Sequence, residues 1–212
     1  MTSLLTGDGA EKQVARSAAT IEDHERIPPR ARILAAAGEL FYHHGIRAVG
    51  VESIAEAAGT NKMTLYRHFT SKDELVAEYL RESAKLADAC WERLRQAHPG
   101  DPRAQLRAWL REMAEHAASA DERGCPLANA AVELPEKAHP ARRVIEDFKV
   151  AQRARLVELG TAAGLAEPDV LADELHLLLE GARVTAQSVG TDGLGARLMR
   201  MGEAMIAAHS SD

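Results

Sequence analysis

Aromatic side chains are scarce in this 212-residue chain: two Trp, three Tyr and three Phe, or 4% of the total. So few leave little with which to build a β-sheet. Abundant Ala, Leu, Glu and Arg favour packed helices instead. Cysteine is scarcer still. Cys90 and Cys125 form neither a disulfide framework nor a CxxC pair, which points to a reducing compartment. No apolar run approaches the roughly 20 residues needed to cross a bilayer, and no signal-peptide core precedes the body. A soluble, cytoplasmic protein with no membrane partner is therefore expected. Internal repeats and low-complexity stretches are also lacking. A hydrophobic content of 46% over 212 residues suffices for one large or two small domains.

The net charge of −6 argues against a polyanionic partner until it is divided along the chain. Residues 28–75 carry six Lys or Arg against five Asp or Glu, a balance of +1, and three histidines; the rest of the chain is −7. That asymmetry fits a nucleic-acid-facing end on an acidic body.

The informative stretch lies inside that segment, from Gly45 to Leu75: GIRAVGVESIAEAAGTNKMTLYRHFTSKDEL. Val51, Ile54, Ala55 and Ala58 recur at i, i+3, i+4 and i+7, the buried stripe of a short helix. Gly59 supplies the freedom for a sharp turn. Asn61 is placed to cap a second helix and Ser71 a third, with Ser71 and Glu74 in capping-box spacing. In the helix opened by Asn61, packing needs only Leu65 and Phe69. Lys62, Met63, Thr64, Tyr66, Arg67 and His68 are left over, a set suited to phosphates and base edges. Lys72, in the first turn of the third helix, is placed to add to an anion site there. The bland reading is a helical hairpin whose polar residues are merely solvated. Even on the sharper one, Tyr66 could be half-buried and His68 could cap a neighbouring turn.

The segment TLYRHFTSKDEL (Thr64–Leu75), preceded by IAEAAGTNK (Ile54–Lys62), resembles the tetracycline-repressor (TetR) family of one-component transcriptional regulators over about a quarter of the chain. The resemblance implies an all-α homodimer: an N-terminal three-helix helix-turn-helix domain that reads half of a palindromic DNA operator, joined to a larger helical domain for dimerisation and binding of a small-molecule effector. It implies repression relieved by that effector, no enzymatic activity and no cofactor. Lys62, Met63 and Thr64 match positions that face base edges, while Tyr66, His68 and Lys72 match positions that contact phosphate. Arg67 is free to touch either. The second helix departs from the pattern, with Gly50, Val51 and Glu52 where many members carry Ser or Thr and a basic residue. Glu52 would repel phosphate, although it could accept from cytosine N4.

The rest of the chain divides accordingly. Residues 1–27 read as a disordered tail with five acidic and three basic residues, its Arg16 and Arg26 in reach of a minor groove at most. Residues 28–75 form the DNA-binding domain, and residues 76–212 the effector and dimer domain. The periodicity predicts helices from about Pro29 to His44, from Lys72 to about Gln96, Pro102 to Ala118, within Arg123–Leu134, Pro140 to Ala163, Pro168 to Val189 and Gly195 to Ala208. Trp91, Trp109, Met113, His116, Cys125, Asn129, Phe148 and His176 are candidate lining for an effector cavity, apolar with a few polar anchors. Single core histidines and buried cysteines are more often structural. No convincing metal quartet is present. His43 and His44 are adjacent, which is the wrong geometry for joint chelation. For the dimer interface, Leu171, Leu175, Leu178, Leu179, Ala182 and Ala186 make one stripe and Leu198, Met201, Met205 and Ile206 a second. The same stripes would equally serve an intrachain core. Two other classes compete: a helical enzyme using Cys125 as nucleophile with His116 or His139 as base, and a DNA-binding protein with no effector.

Overall fold

A computed structural model describes residues 27–119 and 123–210; the N-terminal tail, with Arg16 and Arg26, lies outside the described residues. Among these there are nine α-helices and no strand: α1 Pro29–His44, α2 Val51–Ala57, α3 Lys62–His68, α4 Lys72–Ala97, α5 Pro102–Ala118, α6 Pro126–Glu133, α7 Pro140–Ala162, α8 Pro168–Val189 and α9 Leu194–Ala208. No helix among the described residues is long and apolar enough to cross a membrane.

Local chemistry explains most of these boundaries. Proline opens α1, α5, α6, α7 and α8, where its missing N–H costs nothing and its fixed φ suits the first turn. Side chains of Asn61, Ser71 and Asp101 accept from the backbone N–H three residues on. The capping box at Ser71 is shifted by one residue. Glu74 reaches back to the N–H of Thr70, at 2.7 Å, and to its hydroxyl, not to Ser71.

Two apolar clusters organise the molecule. The first joins Ile33, Ala37 and Phe41 of α1 to Ile54 of α2, Leu65 of α3, Phe69, and Leu75, Val76 and Leu80 of α4. It then continues into Leu127 and Ala130 of α6 and Ile145 of α7. The second is built from Cys90 and Leu94 of α4, Leu106, Trp109 and Leu110 of α5, Leu156 of α7, and the inner faces of α8 and α9. α4 belongs to both, and α6 shares a core with the helix-turn-helix although it lies some 50 residues downstream of it.

The second cluster corrects the expected dimer face. Leu171, Leu175, Leu179, Ala182 and Leu198 are buried inside the chain's own core. Leu178, Ala186 and Met205 pack against it half-buried. Ile206 is buried as well, and Met201 alone of the ten is exposed. The strongest apolar periodicity on α8 and α9 was taken up by intrachain packing, since each helix must first bury a face against α5 and α7. One row left outside on α8 is Leu177, Gly181, Val184 and Ser188, at i, i+4, i+7 and i+11.

Between α5 and α6 the chain passes through a clamp. The Tyr42 hydroxyl accepts from the Arg123 N–H at 2.6 Å and donates to the Gly124 carbonyl at 3.3 Å. The Arg123 guanidinium donates to the carbonyls of Tyr42 and His43, which end α1. Gln187 of α8 donates to the Arg123 carbonyl at 2.6 Å. Gly124 has φ +81°, and a Cβ there would lie 2.8 Å from Gln187 Nε2. Gly124→Ala is therefore expected to cost about 1–2 kcal/mol from the left-handed backbone and the displaced Gln187, read as a lowered urea midpoint at unchanged m-value.

Candidate nucleic-acid interface and effector cavity

The helix-turn-helix is held from the inside by few groups. Leu65 and Phe69 are 0% and 1% exposed, and Arg30 of α1 lies over the Phe69 ring at 5.1 Å while pairing with Glu78 at 3.2 Å. With those two side chains anchored, α3 turns Lys62, Met63, Tyr66, Arg67 and His68 outward. Met63 is 72% exposed, a large apolar side chain with no packing role inside the chain. Thr64 is half-buried. Asn61 spends its side-chain oxygen on the Thr64 N–H, at 2.9 Å.

Two of the expected contacts are placed differently from what the sequence suggested. Lys72 is half-buried, its Nζ donating to the Ile46 carbonyl at 2.6 Å beneath the Phe41 ring. Burial pulls its pKa below the ordinary lysine value. It therefore ties the α1–α2 loop to α4 and stands apart from the outward row of α3. Lys62, by contrast, is exposed but engaged: its Nζ lies 2.6 Å from Glu52 of α2. That hydrogen bond, and then the opposite charge, lowers the Glu52 pKa and raises that of Lys62. Glu52, read from the sequence as repelling phosphate or accepting from cytosine, is thus the partner of the lysine expected to read bases. The pairing was traceable in principle, because a helix-turn-helix brings the starts of its second and third helices together.

The larger half encloses a cavity of about 420 Å³, within the size range of small-molecule sites. Trp91, Trp109, Met113, His116, Cys125, Phe148 and His176 all line it. Asn129 does not; it faces a neighbouring cleft and donates to the Arg123 carbonyl at 2.8 Å. Trp91 and Trp109 stack with centroids 5.8 Å apart and planes 12° apart. Trp91 Nε1 donates to Gln152 Oε1 at 2.7 Å.

The charged side chains of Lys149, Arg183, Arg93 and Glu112 also line this space. Lys149 of α7 and Arg183 of α8 both donate to Glu180 Oε1, at 2.8 and 2.7 Å. Burial would raise the Glu180 pKa, but those two cations outweigh it and the carboxyl is held below its usual value. His176, one turn earlier, is shifted down by burial and by Lys149, which favours the neutral ring. Arg93 pairs with Glu112 at 2.7 Å across the α4–α5 side. Arg183 and Glu180 are only three residues apart, but Arg93 and Glu112, and Lys149 and Glu180, lie 19 and 31 positions apart, which helical periodicity alone does not connect.

Cys125 is buried at the start of α6. Of its two candidate bases, His139 caps α7 through the Ala141 N–H and lies 3.4 Å from Asp73. His116 is exposed, with Nδ1 2.7 Å from the Glu112 carbonyl. Neither arrangement sets a base on the sulfur. Cys90, the other cavity thiol, is pushed up to about 12 by burial and by Glu112, so it is held protonated.

Comparison with known proteins bears on this geometry. Residues 33–79 match the family model for bacterial regulatory proteins of the tetR family. The solved structure of a TetR transcriptional regulator from Streptomyces avermitilis is 31% identical, covering 86% of this chain and 98% of that one, with a TM-score of 0.74. Among curated proteins, the transcriptional activator FasR of Mycolicibacterium smegmatis is 41% identical over 81 residues, 37% of this chain and 36% of its own length. The transcriptional repressor KstR2 of Mycobacterium tuberculosis is 44% identical over 52 residues, 24% of this chain and 26% of its own. This chain thus spans only about a quarter to a third of the length of those two curated relatives.

Proposed function

Because this chain belongs to the TetR family of bacterial regulatory proteins, we propose that it is a sequence-specific, dimeric DNA-binding regulator, a repressor that leaves a palindromic operator when a small molecule fills its cavity. The observation that carries this reading is the outward row of α3. Five side chains, Lys62, Met63, Tyr66, Arg67 and His68, project from a helix whose only deep anchors are Leu65 and Phe69. Met63, Lys62 and Thr64 serve base edges, whereas Tyr66, Arg67 and His68 suit the backbone.

Dimerisation fits the exposed side of α8, with Leu177 at 72% and Val184 at 65% exposed; Met201 of α9 is exposed as well. A two-fold pair of such faces would set two α3 helices against half-sites about one helical turn apart. Coupling to the cavity has a physical route besides α4. Gly124, Cys125, Pro126 and Leu127 line the cavity, and the adjoining Arg123 holds the end of α1. An occupant that displaces this segment would move the helix-turn-helix through the apolar core that α6 shares with it.

The interface is tested by two substitutions measured with fluorescence anisotropy on operator and random duplexes. Glu52→Gln frees Lys62 and removes a negative charge, so affinity for both duplexes is expected to rise about tenfold at low salt, with a steeper salt slope. Met63→Ala should leave stability within about 0.5 kcal/mol and change the preferred operator. Weaker operator binding by Glu52→Gln with unchanged random binding would assign Glu52 to base reading and overturn the first expectation. Identical losses on operator and random DNA for Met63→Ala would overturn the second.

A further inference from the structure

The polar end of the cavity carries an imbalance of charge that narrows what can fill it. Arg93 and Glu112 pair one to one. On the opposite side, Lys149 and Arg183 share the single carboxylate of Glu180. All three side chains are largely buried, at 23%, 21% and 28% exposed. Two cations on one carboxylate leave one positive charge without a counterion in a partly dehydrated site, which is unfavourable until an anion joins it. His176 faces the same space from α8.

A further polar group of the lining, Gln152, also offers a donor. Gln152 spends its Oε1 on Trp91, and its buried Nε2 has no hydrogen-bond partner. Buried amide N–H groups without partners are uncommon and costly. Lys149 and Arg183, sharing one carboxylate, can each donate further, and the Gln152 amide awaits an acceptor. Beside Gln152 the stacked indoles of Trp91 and Trp109 make an aromatic wall of the cavity, with Phe148 and Leu179 adding apolar surface. Flat aromatic surface is met best by another ring system in offset stacking.

We infer that the occupant is a planar aromatic molecule bearing one anionic group, such as an aryl carboxylate, with its rings on the Trp91–Trp109 wall and its anion against the cavity side of Lys149 and Arg183. This rests on the reading of the cavity as the regulator's effector site, and it adds the chemical class. A carboxylate oxygen would also accept from Gln152 Nε2. A cationic ligand meets two cations and finds Glu180 already occupied. A neutral aromatic satisfies the wall but leaves the charge uncompensated. An aliphatic acid satisfies the charge but not the wall.

Calorimetric titration of the full chain with four probes tests this: 2-naphthoate, 2-naphthamide, 2-naphthylmethylammonium and decanoate. The expected order places 2-naphthoate about tenfold tighter than the amide and tighter than decanoate, with no detectable binding of the ammonium. Lys149→Met leaves Glu180 and Arg183 balanced, so the naphthoate-to-naphthamide preference should fall toward one. Glu180→Gln keeps the shape and adds a net positive charge, so naphthoate should tighten. The amide or the ammonium binding as well as naphthoate would overturn the anionic part, and decanoate binding best would overturn the aromatic part. No binding by any probe would overturn both. Selection of DNA sites by the same preparation separates the two readings. Intact selection with the wrong probe order removes only the ligand class. Tight naphthoate binding by a chain that selects no DNA removes the regulator reading and leaves the cavity chemistry standing.

Discussion

Phe69→Ala is expected to abolish operator binding while leaving most of the helical signal intact. Phe69 is 1% exposed and sits at the C-terminal cap of α3, where it fixes how the recognition helix leans on α1 and α4. Removing the ring costs about 3–5 kcal/mol in transfer and cavity terms. It also takes away the surface beneath the Arg30 guanidinium. Whole domains are stable by only about 5–15 kcal/mol, and the helix-turn-helix is the smaller part of this molecule. The loss should therefore fall on α1–α3, leaving the second cluster around Trp109 and Leu175 assembled. Circular dichroism with anisotropy on operator DNA checks this. Full operator affinity in the variant would mean that α3 is not oriented by Phe69.

The second large effect is expected at Gly202. Here α9 crosses α5 so closely that a Cβ would lie 2.6 Å from both δ carbons of Leu110. Leu110 is itself only 2% exposed, so its methyl groups have no room to withdraw. Gly202→Val is expected to destabilise by about 1–3 kcal/mol through overpacking. Intrinsic helix propensity works the other way but returns only about 0.5 kcal/mol, so the steric term wins. Urea unfolding should show a lowered midpoint. Because α9 would be pushed off α5, the dimer should also dissociate at higher protein concentration than the parent, seen by sedimentation. A neutral or raised midpoint would show that α9 can shift freely.

The legible parts of this sequence were those whose causes are local. Prolines at positions 29, 102, 126, 140 and 168 mark helix starts because the constraint lies within one turn. The Asn61 and Ser71 caps are read from spacing for the same reason, and Leu65 with Phe69 identifies the anchored side of α3. The less legible parts depend on partners far along the chain. Lys72 turns inward because the Ile46 carbonyl, 26 residues earlier, is there to receive it. Sequence spacing suggested only that an anion would be welcome nearby. The α8 stripe of Leu171, Leu175 and Leu179 announces burial but not by what. The intrachain core claims it, leaving the weaker Leu177–Val184 row outside. In the cavity the apolar lining was foreseeable as bulky residues on helices. The Lys149–Glu180–Arg183 group was not, since three charged residues on two helices look the same whether they meet solvent or each other.

The proposed regulator reads DNA through α3 as one half of a symmetric dimer. Selection of bound sites from a random duplex library, repeated over a salt series, tests it most directly. Recovery of a short palindrome is expected, with half-sites about one helical turn apart and affinity falling steeply as salt rises. Failure of the folded, ligand-free protein to enrich any sequence would contradict it.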